Sequence, residues 1–178
     1  MKRLTLFLDT ETGGLNPKEN DVLTFAYNID KDKETLIRLQ YNVKANPKRV
    51  TPEALEINKI NLEEHNKAAW SKEEVADHFI KTLKLLEPCE IRLVGQNILF
   101  DLRFLEHNIF NKGNNPFIKM KINDTVLLSR KYSYKNNINL PNHKLSTLSE
   151  HFGYKTEFHD AMNDVLATRH VYYKLTKK

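Results

Sequence analysis

Residues 6–15, Leu6-Phe7-Leu8-Asp9-Thr10-Glu11-Thr12-Gly13-Gly14-Leu15, decide the reading of this chain. Residues 4–8 form a short apolar run of strand type, and two acids close it two positions apart. Side chains alternate between the faces of a strand, so Asp9 and Glu11 project from one side at the end of the strand expected to be most buried. Neither has a basic neighbour in sequence. Two like charges about 4 Å apart, at an effective dielectric of roughly 20, repel by about 4 kcal/mol, which calls for a cation or a raised pKa. A hard divalent metal is the natural cation for oxygen ligands, and a solvated pair of strand-end acids is the plain alternative. Gly13, Gly14 and Gly95 are three of only five glycines, and they stand beside the segments that carry candidate acids. A missing side chain there permits a turn or the close approach of a ligand.

Outward from this strand, residues 22–29 and 35–43 read as two more strands joined by the polar turn Lys31-Asp32-Lys33. Three strands ahead of any long helical pattern predict an antiparallel meander at one side of a mixed sheet. Thr51 before Pro52 caps a short helix over 52–58, and Ser71 with Glu74 forms a capping box for a helix that ends before Pro88. Residues 91–94 read as a buried strand that runs through Gly95-Gln96-Asn97 into a helix containing Leu102, Leu105 and Ile109. The pattern further predicts a strand over 118–122 and helices over 124–132, 145–152 and 160–174. The tract 130–144 mixes Arg130, Lys131, Lys135 and Lys144 with Tyr132, Tyr134, Pro141 and several asparagines, and reads as a loop or ordered flap.

Asp101 falls in the first turn of the helix after residues 91–94, where the helix dipole favours an acid. Phe100 and Phe104 share one face of that helix, as core aromatics do. His159 stands just ahead of the last helix and Asp164 one turn inside it, so both can face one cavity. Imidazole titrates near neutrality and can take a proton from water; equally, a histidine here is a polar residue at a helix entrance, and Asp160 a helix cap.

The whole composition bounds the answer. With 178 residues the chain suits one domain, either a small enzyme or a piece of something larger. At 40% apolar and 29% charged residues, without an apolar run near 18, it is neither a membrane span nor globally disordered. The apolar start is broken by Asp9 and Glu11, which is unlike a signal peptide. One cysteine, Cys89, makes no internal disulfide, and an intracellular, cytoplasmic setting is expected. The formal charge of +5 favours polyanionic partners without establishing one.

Taken together, the segments resemble the DEDDh branch of the DnaQ-like 3′-to-5′ exonucleases, known best as proofreading subunits and domains of replicative DNA polymerases. The family's first motif, Asp-Thr-Glu-Thr-Thr-Gly-Leu, is similar to Asp9 to Leu15, with Gly13 where threonine is usual. The second resembles Asn97 to Leu105 and supplies Asp101; the third, His-x-Ala-x-x-Asp, matches His159, Ala161 and Asp164. Gln96 stands where many members have histidine, and Asp160 where a basic or small residue is frequent.

The resemblance implies a ribonuclease H-like α/β fold, a twisted mixed sheet of about five strands flanked by helices, as a single exonuclease domain over residues 1–178. It implies two Mg²⁺ or Mn²⁺ ions on Asp9, Glu11, Asp101 and Asp164, with His159 as the base. The reaction implied is removal of nucleoside 5′-monophosphates from the 3′ end of single-stranded or frayed DNA. Thr10, Thr12, Gly13, Leu15, Asn97 and Phe100 would meet the terminal nucleotide. Arg130, Lys131, Lys135 and Lys144 would follow the backbone, or serve only as a solvated face. RNA as substrate, a polymerase partner, and a non-catalytic binding module remain as alternatives.

Overall fold

The computed structural model describes residues 2–110 and 113–177. Its sheet has five strands in the order β3-β2-β1-β4-β5, where β1 is Lys2–Thr12, β2 Val22–Lys31, β3 Glu34–Asn42, β4 Cys89–Gly95 and β5 Lys121–Asp124. β1 pairs antiparallel with β2 and parallel with β4, so the meander and the parallel half meet on the central strand. The helices are α1 Pro52–Asn58, α2 Leu62–Lys67, α3 Lys72–Leu85, α4 Leu99–Asn108, α5 Thr125–Asn136, α6 Leu145–His151 and α7 Ala161–Leu175. This is the mixed five-stranded, helix-flanked sheet that the sequence leads one to expect.

The alternation of β1 assigns its two faces. Leu4, Leu6 and Leu8 join Phe25, Tyr27, Phe79, Leu93 and Phe104 in the larger core on the α3 and α4 side. Phe7 points the other way, packing with Val94 and with Ala161, Val165 and Tyr172 of α7. Asp9 and Glu11 share the parity of Phe7, so they open toward the start of α7, while Thr10 turns toward α4.

The local signals behave as their chemistry demands. Thr51 accepts the Ala54 amide at 3.2 Å, and Ser71 and Glu74 exchange both bonds of a capping box. Asp160 caps α7 by accepting the Asn163 amide at 2.9 Å. Two expectations need correction. The strand expected over 118–122 lies at Lys121–Asp124, because its pairing with Arg92–Gly95 sets the register and leaves Ile118 in a turn, 71% exposed. The first half of the tract 130–144 is helix, not loop: α5 runs to Asn136. Its buried stripe is Thr125, Ser129 and Ser133, small polar residues that show no apolar period. No described helix is long and apolar enough to cross a membrane.

Candidate active site

Three elements bring four acids to one end of the sheet. Asp9 and Glu11 come from the last turn of pleat on β1, Asp164 from the first turn of α7, and Asp101 from the first turn of α4. Carboxylate oxygens of Asp9, Glu11 and Asp164 all lie within 4.8 Å of one another. Asp101 sits behind them: its Oδ1 accepts the Thr10 amide at 3.0 Å and the Thr10 hydroxyl at 2.7 Å.

Burial and crowding raise every one of these carboxyls. Asp9 is pushed well above the usual carboxylate range by burial and by the charges of Asp101, Asp164, Glu11 and Asp160. Glu11 rises to about 8 through burial, then through Asp164, Asp160 and Asp101. Asp101 rises to about 7 through burial, against the opposing hydrogen bonds from Thr10, and Asp164 rises to about 6, also through burial. No ion pair among the described residues involves any of the four.

Two other acids show that this fold can satisfy a buried carboxylate. Asp21, 1% exposed, receives Arg49, Lys72 and the Asn46 amide. Asp30, also 1% exposed, receives Arg169, Tyr173, Asn28 and Thr35. By contrast Oδ1 of Asp164 is buried without a hydrogen-bond partner. An orphaned oxygen within a group of cation-free carboxylates fits a hard metal ion.

His159 adjoins this group at a positive φ of 67°, a backbone region costly for a non-glycine residue. Its amide donates to Asp164 Oδ2 at 3.3 Å, which ties the strained residue to the acid. The exposed imidazole borders a cavity of about 630 Å³ whose walls include Thr10, Thr12, Leu15 and Phe100. Leu15 is 85% exposed at the tip of its loop, and Phe100 stacks on the buried Phe104 at 4.9 Å.

Other predicted contacts lie elsewhere. Gly13 is buried, its amide donating to Asp21 O and its carbonyl accepting the Thr51 amide. A Cβ there would meet Arg49 O at 2.7 Å, so glycine is needed for packing rather than for a ligand. Asn97, at φ 53°, forms the β4–α4 turn and donates its amide to Asp124. Gln96, in the position where many relatives have histidine, holds His143 O at 2.8 Å and so brings Lys144 to this end of the sheet. Lys131 and Lys135 instead line a groove with Leu175 and Lys177 at the far end of α7. Leu175 lies about 21 Å along the axis of that 15-residue helix from Ala161, at the end near His159. Tyr132 packs on Phe152 at 5.5 Å, whereas Tyr134 is 93% exposed.

The sequence reading missed the opposite wall of the cavity, which α1 supplies through Ala54, Ile57 and Asn58. The available signal was Ile57, an apolar residue left 57% exposed on a short polar helix.

Acids from three separated segments thus converge on one end of a mixed sheet. The RNase_T family model, described as exonuclease, matches residues 6–172, and the chain belongs to this family within the DnaQ-like exonucleases. Among curated proteins, the sequence has no match. Solved structures of E. coli exonuclease I share the fold. Its complex with a dA16 oligonucleotide aligns with a TM-score of 0.78 at 21% identity, over 99% of this chain and 41% of that one. The complex with a 5cy-dT13 oligonucleotide gives 0.74 at 19%, over 99% and 42%. The zinc-bound form of the exonuclease I–ssDNA complex gives 0.76 at 20%, over 99% and 41%. The chain thus spans about two fifths of the length of the proteins it matches.

Proposed function

We propose that the chain is a single metal-dependent 3′-to-5′ exonuclease domain over residues 1–178, releasing nucleoside 5′-monophosphates from single-stranded DNA. The observation that carries this reading is a contrast among acids: buried Asp21 and Asp30 are paired, while the half-buried Asp9, Glu11 and Asp164 are grouped without a cation. Single-stranded oligonucleotides bound to exonuclease I support the choice of substrate.

Asp9, Glu11 and Asp164, with Asp101 adjoining, would hold two divalent ions, Mg²⁺ or Mn²⁺. Bound there, divalent ions supply charge stabilisation at a phosphoryl oxygen and acidify a bound water. His159 accepts the proton of the attacking water at its exposed imidazole, on the side of the acids that faces the cavity. Leu15, Ile57 and Phe100 would give the terminal base apolar walls, and an unpaired nucleotide is the substrate such a cavity would take. Thr10 holds Asp101 in place through two hydrogen bonds and so orients the acid behind the reacting phosphate.

The test is end-labelled single-stranded DNA and RNA of one sequence, incubated with Mg²⁺, Mn²⁺ or EDTA beside folded His159→Ala and Asp164→Ala variants. Stepwise shortening from the 3′ end that needs metal and collapses in both variants is expected, with DNA cleaved faster. Metal-independent cleavage, or full activity in Asp164→Ala, would refute the site; faster RNA cleavage would reassign the substrate.

A further inference from the structure

Helix α4 holds two buried polar side chains seven residues apart on one face, Asp101 and Asn108. Asp101 fixes Thr10 at one end. Asn108, at the other, uses its whole amide: Oδ1 accepts Val22 N and Lys72 Nζ, and Nδ2 donates to Pro17 O and Asn20 O, each at 3.3 Å. Pro17 and Asn20 lie within residues 13–21, the loop that leaves β1 and returns as β2 at Val22.

A second clasp closes the loop from outside. Arg49 donates to Lys18 O at 3.0 Å and Asn20 O at 3.4 Å while its Nε pairs with Asp21 at 2.7 Å. Inside the loop Asn20 Oδ1 accepts the Asn16 amide at 3.0 Å. Leu15, the exposed tip, therefore rides on a loop whose carbonyls are held from both sides, and that loop forms one wall of the cavity.

We infer that Asn108 is a positioning residue for substrate: through Pro17 and Asn20 it sets the Leu15 wall against which the terminal base rests. One rigid helix of 10 residues then fixes both the acid behind the reacting phosphate and the wall beside the base. The spacing between those two parts of the site is a property of α4, with Asn108 acting on the wall only through the loop's backbone carbonyls. This rests on the cavity receiving the terminal nucleotide, as proposed above.

The variant that isolates the effect is Asn108→Asp. It is isosteric and keeps the acceptor for Val22 and Lys72, but sets a carboxylate oxygen against the two loop carbonyls. KM for a single-stranded oligonucleotide should rise roughly five- to thirtyfold, the effect of losing two hydrogen bonds, with kcat within about twofold. Hydrolysis of bis(4-nitrophenyl) phosphate, which has neither base nor sugar, should be unchanged. In a Leu15→Ala background the KM effect of Asn108→Asp should largely vanish, since both act through one wall. An equal loss on both substrates, an unchanged KM, or full additivity with Leu15→Ala would overturn the inference. Amide hydrogen exchange at Asn16 and residues 18–20 should accelerate in Asn108→Asp whether or not the protein is active, and unchanged exchange would also overturn it. If the wild type cleaves neither substrate, the exonuclease reading fails and the exchange experiment alone decides the clamp. Should Asn108→Asp not fold, Asn108→Ser, which keeps one donor, must show the same KM split at smaller size.

Discussion

Neutralising Asp164 should stabilise the metal-free protein while abolishing its activity. In Asp164→Asn the carbonyl oxygen can keep the bond from the His159 amide, and the new NH₂ takes the place of the buried Oδ1 that has no partner. The magnitude follows from proton linkage. Burial raises the Asp164 carboxyl from 3.8 to about 6 in the folded chain, so the folded state binds its proton more tightly than the unfolded state. Below the unfolded value the penalty is absent; it grows as pH rises toward 6 and is complete above. At about 1.4 kcal/mol for each tenfold change in proton affinity, the charge costs about 3 kcal/mol at pH 8 and roughly half that at pH 5. For a domain of this size the former is a rise of about 6–12 °C in Tm. Thermal unfolding in EDTA at both pH values measures it. Mg²⁺ should then raise Tm in the wild type and much less in the variant, because the ion offsets the same repulsion. A variant less stable than the wild type in EDTA at pH 8, or a gap that does not shrink at pH 5, would falsify the reasoning.

Three further outcomes are expected. Asp21 has the opposite sign: burial alone would raise its carboxyl, but Lys72, the Asn46 amide and Arg49 together hold it below the usual range. Its stabilisation is present above the unfolded pKa and lost as pH falls through the folded one, so Asp21→Asn should cost about 2 kcal/mol at pH 7 in urea unfolding and progressively less as pH falls below the ordinary Asp value of about 3.9. Lys144 lies at the active end of the sheet and Lys131 and Lys135 at the far end of α7. Lys144→Ala should therefore weaken binding of short and long single strands alike, whereas the Lys131→Ala, Lys135→Ala pair should affect only long ones and flatten their salt slope by about 1.4, an outcome checked by fluorescence anisotropy across a salt series. Ser71→Ala removes one half of the α3 capping box and should lower stability by about 1 kcal/mol with exonuclease rates unchanged, which separates global stability from the site.

How far the sequence could be read depended on whether a signal was local. β1 was legible because three alternate leucines and two alternate acids obey one period, and that parity already set Asp9 and Glu11 on the face that α7 covers. His159 and Asp164 were legible as a spaced motif, and Asp101 became so only through its company. The end of α5 was not, because its fully buried positions, Thr125, Ser129 and Ser133, are all polar. α2 was passed over for a like reason, having no buried residue. The loop clamp was beyond local reading altogether: Arg49 meets Asp21 across 28 positions, Lys72 across 51, and Asn108 meets Pro17 across 91. Nothing in a single polar residue tells which distant carbonyl it will hold.

The same physics explains why the acid group can persist. Each element that delivers an acid is anchored by interactions that do not involve it. β1 is the central strand, its Phe7 meeting the rings of Tyr172 and Tyr173 at 5.6 Å. α4 is buried along Phe104 and Leu105. α7 is pinned to β2 by Arg169 and Tyr173, both 2.7 Å from Asp30 and placed five and nine residues beyond Asp164. Asp30 and Asp164 thus sit on opposite sides of one requirement. Asp30 is satisfied by four donors and locks the helix; Asp164 is left with an open oxygen and receives the strain. A site proposed to take up cations carries none of its own, while the paired acids Asp21 and Asp30 tie together the elements around it.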